Sequence, residues 1–235
     1  MQHMWHPRYY LCLLEKAMKV LNLYAGIGGN RKLWQSVEVT AVEINSEVAN
    51  IYQDYFPNDK VIVGDAHEYL IEHFKEFDFI WSSPQCQSHS KFRKNVACNV
   101  EINEFGRYAK PVYPDLALYQ EIIFLQHYFK GRFAVENVVA YYEPLIEPQL
   151  IQRHWFWTNY KIPERVFKAD NVARATVKEN QNRYGFDLSK YKISTRKKGQ
   201  TRKDVLEKDQ ILRNCVDPCL GLHVFQSGMI QEISI

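Results

Sequence analysis

The sequence lacks several features that would place it in whole classes of protein. It has only 10 glycines and 9 prolines among 235 residues, which excludes a collagen-like or low-complexity chain. No run of 18 or more uncharged apolar residues occurs, so no segment is predicted to span a membrane. The polar and aromatic start does not fit a secretory signal. Length and a hydrophobic fraction of 46% instead predict one domain with a real core and room for a small appended subdomain.

Cysteine is also scarce. The five cysteines are scattered and odd in number, and no CxxC pair occurs among Cys12, Cys86, Cys98, Cys215 and Cys219. A disulfide framework or a zinc site is therefore not expected, and we predict no metal. Free cysteines favour a reducing compartment, so the predicted location is the cytoplasm.

The charge is unevenly distributed along the chain. The formal net charge is +3, but residues 161–208 hold 14 Lys/Arg against 6 Asp/Glu, a surplus of +8 that leaves −5 for the rest. An acidic body with one basic segment is typical of a protein that binds a polyanion, usually a nucleic acid. A solvated lysine-rich loop gives the same pattern, and charge alone favours neither reading.

The hydrophobic pattern alternates between short strands and helices. Apolar or β-branched runs predict strands at residues 19–24, 38–44, 61–63, 79–81, 133–135 and 155–157. Helical periodicity predicts helices at 8–18, 46–55 and 115–129, and a helical stretch after Asp65 up to Phe77. Such alternation predicts parallel crossovers, and so an α/β fold with a doubly wound, mostly parallel sheet.

The sequence pattern also predicts how the chain is divided into regions. Residues 85–110 are polar and predict a long mobile loop, and periodicity is lost again from 161 to 208. We therefore divide the chain into an N-terminal helix (1–18), a catalytic domain (19–160), a small basic insertion (161–208) and a segment that returns to the catalytic domain (209–235). Met18 opens so clean a strand that it is an alternative start of the protein.

Three features predict an adenosine site at the carboxyl ends of the first three strands. The turn Tyr24-Ala-Gly-Ile-Gly-Gly29 lets the backbone approach a ligand, but its glycine spacing is not GxGxxG and no Walker lysine follows. Glu43 ends the second strand, where a carboxylate accepts ribose hydroxyls, and Asp65 follows the third, within reach of an adenine amino group. Without a pyrophosphate site, S-adenosylmethionine fits better than NAD. The alternatives are a plain turn and, for Glu43, a helix cap.

Two further residues at the same edge carry reactive groups. Cys86 lies among polar residues after the fourth strand, where a thiolate can be exposed and activated, whereas Cys12 and Cys98 are read as inert. Glu136 ends the fifth strand, and partial burial there would raise its pKa and suit it to act as a general acid. A helix cap is the alternative for Glu136.

The ordered set of motifs resembles the DNA (cytosine-5) methyltransferases, from about Lys19 to Phe225. The motifs are the glycine turn, Glu43, Asp65, Ser83-Pro-Gln-Cys-Gln87, Glu136-Asn-Val138 and Arg213-Asn-Cys-Val-Asp-Pro218. The resemblance implies the Rossmann-like fold of S-adenosylmethionine-dependent methyltransferases. It implies methylation of cytosine carbon 5 in duplex DNA at a short recognition sequence, with the target base flipped out of the helix. It also points, by analogy, to a compact monomer from a prokaryote or a virus.

The resemblance assigns roles residue by residue. Cys86 would attack carbon 6 of the base and Glu136 would hydrogen-bond or protonate ring nitrogen 3, with Asn137 beside it. Tyr24 would pack on the adenine and Pro84 would line the pocket. The remaining cofactor-binding residues it implies are Gly26, Ile27, Gly28, Gly29, Glu43, Ile44, Asp65, Ala66, Asn214 and Val216. The segment around Asn214 is equally well read as plain packing.

The sequence departs from the family pattern at two places. Gln85 stands where a second proline is usual, and the family's Gln-x-Arg-x-Arg element is reduced to Gln152-Arg-His154, so either Arg153 or His154 would face the base. Candidate DNA contacts are Gln87, Ser90, Lys91, Arg93, Arg183, Lys192, Arg196, Lys197, Lys198 and Arg202. The alternatives to DNA methylation are methylation of RNA and a non-catalytic DNA-binding relative.

Overall fold

The computed structural model describes residues 17–91, 100–104, 106–109, 113–167, 175–193 and 207–230. The strands in these ranges are β1 Met18–Leu23, β2 Val37–Glu43, β3 Lys60–Val63, β4 Phe79–Ser82, β5 Val100–Asn103, β6 Gly106–Ala109, β7 Arg132–Val138, β8 Gln149–Ile151 and β9 His154–Thr158. The α-helices are α1 Ser46–Tyr55, α2 Ala66–His73, α3 Ala117–Tyr128, α4 Val177–Tyr184, α5 Lys208–Arg213 and α6 Pro218–Ile230. Short 3-10 turns span Asn30–Leu33 and Phe74–Glu76.

Seven strands form the main sheet, in the order β3-β2-β1-β4-β7-β9-β8. Neighbours from β3 to β7 are parallel, and β9 runs antiparallel to both β7 and β8. The order reverses next to β1, so the polar loops after β1 and β4 open into one crevice at the carboxyl edge. The predicted doubly wound, mostly parallel α/β fold is confirmed.

Helices cover both faces of the sheet because side chains alternate along each buried strand. On one face, Val20 and Trp81 pack with Val224 and Phe225 of α6. On the other, Leu21 and Ile80 pack with α2 and α3, through Leu70, Leu118, Ile122 and Leu125. Burying each of these side chains stabilises the fold by about 1.5–3 kcal/mol. The two layers hold the strand ends in a fixed register. Among the described residues, no helix is long and apolar enough to cross a membrane.

The prediction of an irregular loop over residues 85–110 is wrong where the structure describes its second half. There β5 and β6 form an antiparallel hairpin in which Val100 pairs with Ala109 and Asn103 with Gly106. The signal was the alternation of Val100 and Ile102 with polar neighbours, which the charged surroundings obscured. Residues 92–99, 105 and 110 of that predicted loop lie outside the described residues.

Part of the basic insertion packs against the core next to α1. Helix α4 begins with a capping box between Thr176 and Glu179 and ends at Gly185. Behind it, Phe186 and Leu188 are buried in the cluster that also contains Tyr52 of α1. The division of the chain into domains stays a prediction, since residues 1–16 (with most of the predicted N-terminal helix), 168–174, 194–206 and 231–235 lie outside the described residues.

Candidate active site

The glycine turn after β1 is held open toward the crevice. Gly26 has a φ of +54°, and a Cβ built on it would meet nothing within 4 Å. Gly29 is close-packed instead, since a Cβ there would lie 2.5 Å from the carbonyl oxygen of Val216. The turn therefore has one side free for a ligand and one side packed against the segment before α6. Ile27 between them is buried in the core.

Glu43, the last residue of β2, is tied to this turn. Its Oε2 accepts a hydrogen bond from the Gly26 amide at 3.0 Å, and its Oε1 accepts one from the Asn45 amide at 2.9 Å. Burial raises the pKa of the Glu43 carboxyl. Asn45 caps α1, so reading Glu43 as the cap is wrong. Ile44, between the two, is 63% exposed at the edge of the crevice.

Asp65 occupies the matching place after β3. Its Oδ1 accepts hydrogen bonds from the amides of His67 and Glu68, so it caps α2. The carboxylate is exposed, and both capping bonds use the same oxygen. Asp65 can therefore cap the helix and still offer Oδ2 to a donor in the crevice. Ala66 opens α2 and is buried.

A buried carboxylate that the sequence reading missed lies directly beneath Tyr24. Glu121 of α3 is fully buried and accepts hydrogen bonds from the hydroxyl of Tyr24 and, at 2.6 Å, from that of Ser82. His67 Nδ1 lies 3.4 Å from the same carboxylate. Burial raises the pKa of both Glu121 and Tyr24. The available signal was the position of Glu121 on the apolar stripe of α3, between Leu118 and Leu125.

Cys86 lies in a tight turn beyond β4. Its carbonyl accepts hydrogen bonds from the amides of His89 at 3.1 Å and Ser90 at 3.0 Å. Burial first, and then the negative charge of Glu136, raise the pKa of the Cys86 thiol to about 11. The thiol is therefore protonated at neutral pH in this state. Pro84, two residues earlier, is half-buried at the entrance to the turn.

Glu136 is paired with a histidine from the neighbouring strand. His154 Nδ1 lies 2.6 Å from Glu136 Oε1, and the two residues are only 9% and 7% exposed. The contact arises because β9 runs antiparallel to β7, which places the first residue of β9 opposite Val138 at the carboxyl edge. Arg153 lies in the turn before β9 and is exposed. The structure thus brings His154, and not Arg153, to Glu136.

Asn137 connects the two reactive segments. Its side-chain amide donates a hydrogen bond of 3.1 Å to the carbonyl of Pro84, and its Oδ1 accepts one from the Val138 amide. The residue is 1% exposed. Asn137 therefore ties the end of β7 to the loop that carries Cys86.

The remaining predicted residues are more dispersed. Val216 is buried with its backbone against Gly29, whereas Asn214 is exposed at the end of α5. Of the predicted DNA contacts, Gln87, Lys91 and Lys192 are exposed, Ser90 bridges to Ala140, and Arg183 is half-buried on α4. The others, Arg93, Arg196, Lys197, Lys198 and Arg202, lie outside the described residues. Where the structure describes the chain, no cluster of three or more His, Cys, Asp or Glu side chains could hold a metal.

Comparison with known proteins supports one assignment. Residues 18–104 match the sequence model of the C-5 cytosine-specific DNA methylases. No curated protein matches the chain.

Several solved structures resemble parts of the fold. A mutant of DNMT2 from Spodoptera frugiperda is 22% identical over 52% of this chain and 35% of its own, with a TM-score of 0.35. The PH0226 protein of Pyrococcus horikoshii OT3 is 25% identical over 54% of this chain and 51% of its own, with a TM-score of 0.34. A SAM-dependent methyltransferase from Agrobacterium tumefaciens is 13% identical over 55% of this chain and 41% of its own, with a TM-score of 0.34.

The chain thus spans between about a third and a half of the length of these three structures. The family match is the more specific finding, because it includes the glycine turn, Glu43, Asp65 and Cys86 in one continuous segment. It confirms the resemblance that the motifs indicated. Residues 18–104 of this chain are therefore similar in sequence to the C-5 cytosine-specific DNA methylases.

Proposed function

We propose that this protein methylates carbon 5 of cytosine in duplex DNA at a short recognition sequence, with S-adenosylmethionine as methyl donor and Cys86 as nucleophile. One observation carries the proposal. Cys86 lies near enough to Glu136 to feel its charge, Glu136 contacts His154, and these residues lie at the same carboxyl edge of the sheet as the glycine turn and Glu43. A covalent nucleophile and an adenosyl site are the two parts that this chemistry requires.

The residues around the glycine turn fit S-adenosylmethionine. The open side of Gly26 leaves room for a ligand against the backbone. Each oxygen of Glu43 accepts one backbone hydrogen bond and keeps a lone pair for a ribose hydroxyl. Asp65 would offer its second oxygen to the adenine amino group, and Tyr24 follows β1, the strand next to β2. When bound here, the cofactor would supply an electrophilic methyl group.

Cys86 would make carbon 5 of the base nucleophilic. Its thiolate forms a bond with carbon 6, which moves the electron pair of the 5,6 double bond toward carbon 5. Carbon 5 uses this electron pair to bond the methyl group. When carbon 5 then loses its proton to a base, the electron pair of the broken C–H bond re-forms the 5,6 double bond, and the bond between sulfur and carbon 6 breaks to release the thiolate. Because the pKa of Cys86 is raised to about 11, its proton has to leave as the base binds.

The Glu136–His154 pair would act on the opposite edge of the ring. As carbon 6 is attacked, negative charge develops toward ring nitrogen 3, and the carboxyl of Glu136 hydrogen-bonds or protonates that atom. His154 holds the carboxyl group in place through its Nδ1. A base stacked within a duplex cannot meet both residues, so the proposal requires base flipping.

The proposed binding of DNA depends on positively charged residues. Residues 161–208 carry a surplus of +8 on an otherwise acidic chain, and Lys91 and Lys192 are exposed. These residues would contact phosphates, as Arg and Lys do in most DNA complexes. A recognition region of about 50 residues would read only a few base pairs. We expect a monomer that acts in the cytoplasm.

The test is methyl transfer from labelled S-adenosylmethionine to duplex DNA, with structured RNA in a parallel reaction. Wild type and Cys219→Ser, which alters an exposed free cysteine, should label DNA equally, whereas Cys86→Ser should lose at least about 100-fold. Labelling of RNA but not of DNA would show that the substrate is RNA. Equal labelling by wild type and Cys86→Ser would refute the role of Cys86.

A further inference from the structure

The buried carboxylate of Glu121 connects three parts of the crevice that are distant in sequence. It accepts hydrogen bonds from Tyr24, which follows β1, and from Ser82, the last residue of β4. His67, two residues after Asp65, lies 3.4 Å away. Glu121 has no part in the proposed methyl transfer.

Burying the Glu121 carboxylate costs folding free energy, and apolar packing in the core gives no reason for a carboxylate at this position. Glu121 is fully buried, and burial raises its pKa. A charged or polar group in such a site destabilises the fold unless hydrogen bonds compensate it, so its two hydroxyl partners are needed. A leucine at this position of α3 would continue the apolar stripe between Leu118 and Leu125 without that penalty.

Tyr24 is the partner that is only partly buried, at the end of the strand that leads into the glycine turn. Its φ of +52° is rare for a residue with a large side chain, so contacts elsewhere must hold the backbone and the ring in place. The ring packs on the edge of the core below the crevice, and the hydroxyl hydrogen bond to Glu121 fixes its far end. A phenylalanine would keep the ring but lose this anchor.

We infer that Glu121 is a positioning residue of the cofactor pocket, which fixes the Tyr24 ring for the adenine and so sets affinity for the adenosyl group. This inference rests on the proposed function, because it takes the crevice beside Gly26 to be the adenosyl site. A ring that is fixed in advance loses less freedom on binding, which strengthens affinity without any new contact to the ligand. Because Glu121 is fully buried, it would act on the ligand through Tyr24 and not by direct contact.

The experiment measures binding of S-adenosylhomocysteine by calorimetry to the DNA-free protein. Tyr24→Phe should raise Kd about 5- to 10-fold, Glu121→Met should do the same, and the double variant should be no weaker than either single one. Glu121→Gln should be intermediate, because an amide can keep both hydroxyl partners. Glu147→Gln, the same change at an exposed site, should bind like wild type.

In steady-state assays the same variants should raise KM for S-adenosylmethionine and leave kcat within about 2-fold, a split that general destabilisation would not produce. If Glu121→Met does not fold, the Tyr24→Phe variant tests the inference, since it retains the partly buried ring. Wild-type affinity in Tyr24→Phe, or strictly additive losses in the double variant, would overturn the inference alone. No binding to wild type would overturn it together with the proposed cofactor.

Discussion

His154 Nδ1 lies 2.6 Å from Glu136 Oε1, in a contact between two adjacent antiparallel strands that is closed to solvent on most sides. The hydrogen bond fixes which oxygen of the carboxyl group stays free for a substrate.

The contact between His154 and Glu136 predicts that substitutions of His154 and Arg153 have unequal effects on the rate of methyl transfer. His154→Gln should lower single-turnover methyl transfer about 10- to 100-fold, because Glu136 loses its charge-assisted partner in a buried site. Arg153→Gln should change the rate less than about 3-fold, since Arg153 is exposed in the preceding turn. The reverse order in a rapid-quench experiment would show that Arg153 faces the base.

The raised pKa of Cys86 predicts the pH dependence of its alkylation. Only the thiolate reacts with iodoacetamide, so in the DNA-free protein the rate at Cys86 should rise through pH 9–11, with an inflection near the pKa of about 11. Glu136→Gln removes a negative charge that disfavours the thiolate, so the pKa should fall and the rate at pH 8.5 should increase.

The reaction is followed by mass spectrometry of the peptide that contains Cys86, in a Cys219→Ser background that removes an exposed competing thiol. A slower reaction in Glu136→Gln than in wild type would contradict the sign of this interaction.

Two alanine substitutions in the glycine turn should separate ligand binding from folding. At Gly26, alanine meets no atom but adopts a left-handed φ, so the free energy of unfolding should fall by only about 1 kcal/mol while affinity for S-adenosylhomocysteine drops strongly. At Gly29, alanine would press on the backbone of Val216, with a loss of about 2–3 kcal/mol. Urea denaturation and calorimetry measure the two effects, and equal losses of stability would argue against an open side at Gly26.

Asn137 should affect catalysis without affecting the cofactor. Asn137→Ala removes the hydrogen bond to the Pro84 carbonyl, which frees the loop that carries Cys86 and leaves a buried acceptor unpaired. We expect kcat to fall about 10-fold, the free energy of unfolding to fall by about 1–2 kcal/mol, and KM for S-adenosylmethionine to stay within about 2-fold. A change in KM with constant kcat would place Asn137 with the cofactor instead.

The sequence predicted those parts of the molecule whose signals are local. Helix α1 has the predicted limits of 46 and 55, because its cap and its apolar spacing lie within one segment. The alternation of strands and helices also predicted that Glu43, Asp65, Cys86 and Glu136 lie at the carboxyl edge of one sheet.

What the sequence did not predict depends on contacts between distant segments. The sequence left open whether Arg153 or His154 faces the base, and it did not predict that His154 contacts Glu136, because this contact depends on the antiparallel direction of β9. The sequence did not predict Glu121 as a site residue because its hydrogen-bond partners, Tyr24 and Ser82, lie 97 and 39 residues away. Both cases concern buried polar groups, whose partners a one-dimensional pattern does not reveal.

The most direct test of the central claim is to trap the covalent intermediate. Duplex DNA carrying 5-fluorocytosine at the methylated position is incubated with the protein and S-adenosylmethionine, because fluorine on carbon 5 cannot leave as a proton does and so blocks release of the sulfur. We predict a denaturation-resistant complex for wild type and Cys219→Ser, joined through Cys86 as identified by mass spectrometry, and none for Cys86→Ser. A complex that still forms with Cys86→Ser, or methyl transfer to ordinary DNA without any trapped complex, would contradict the account.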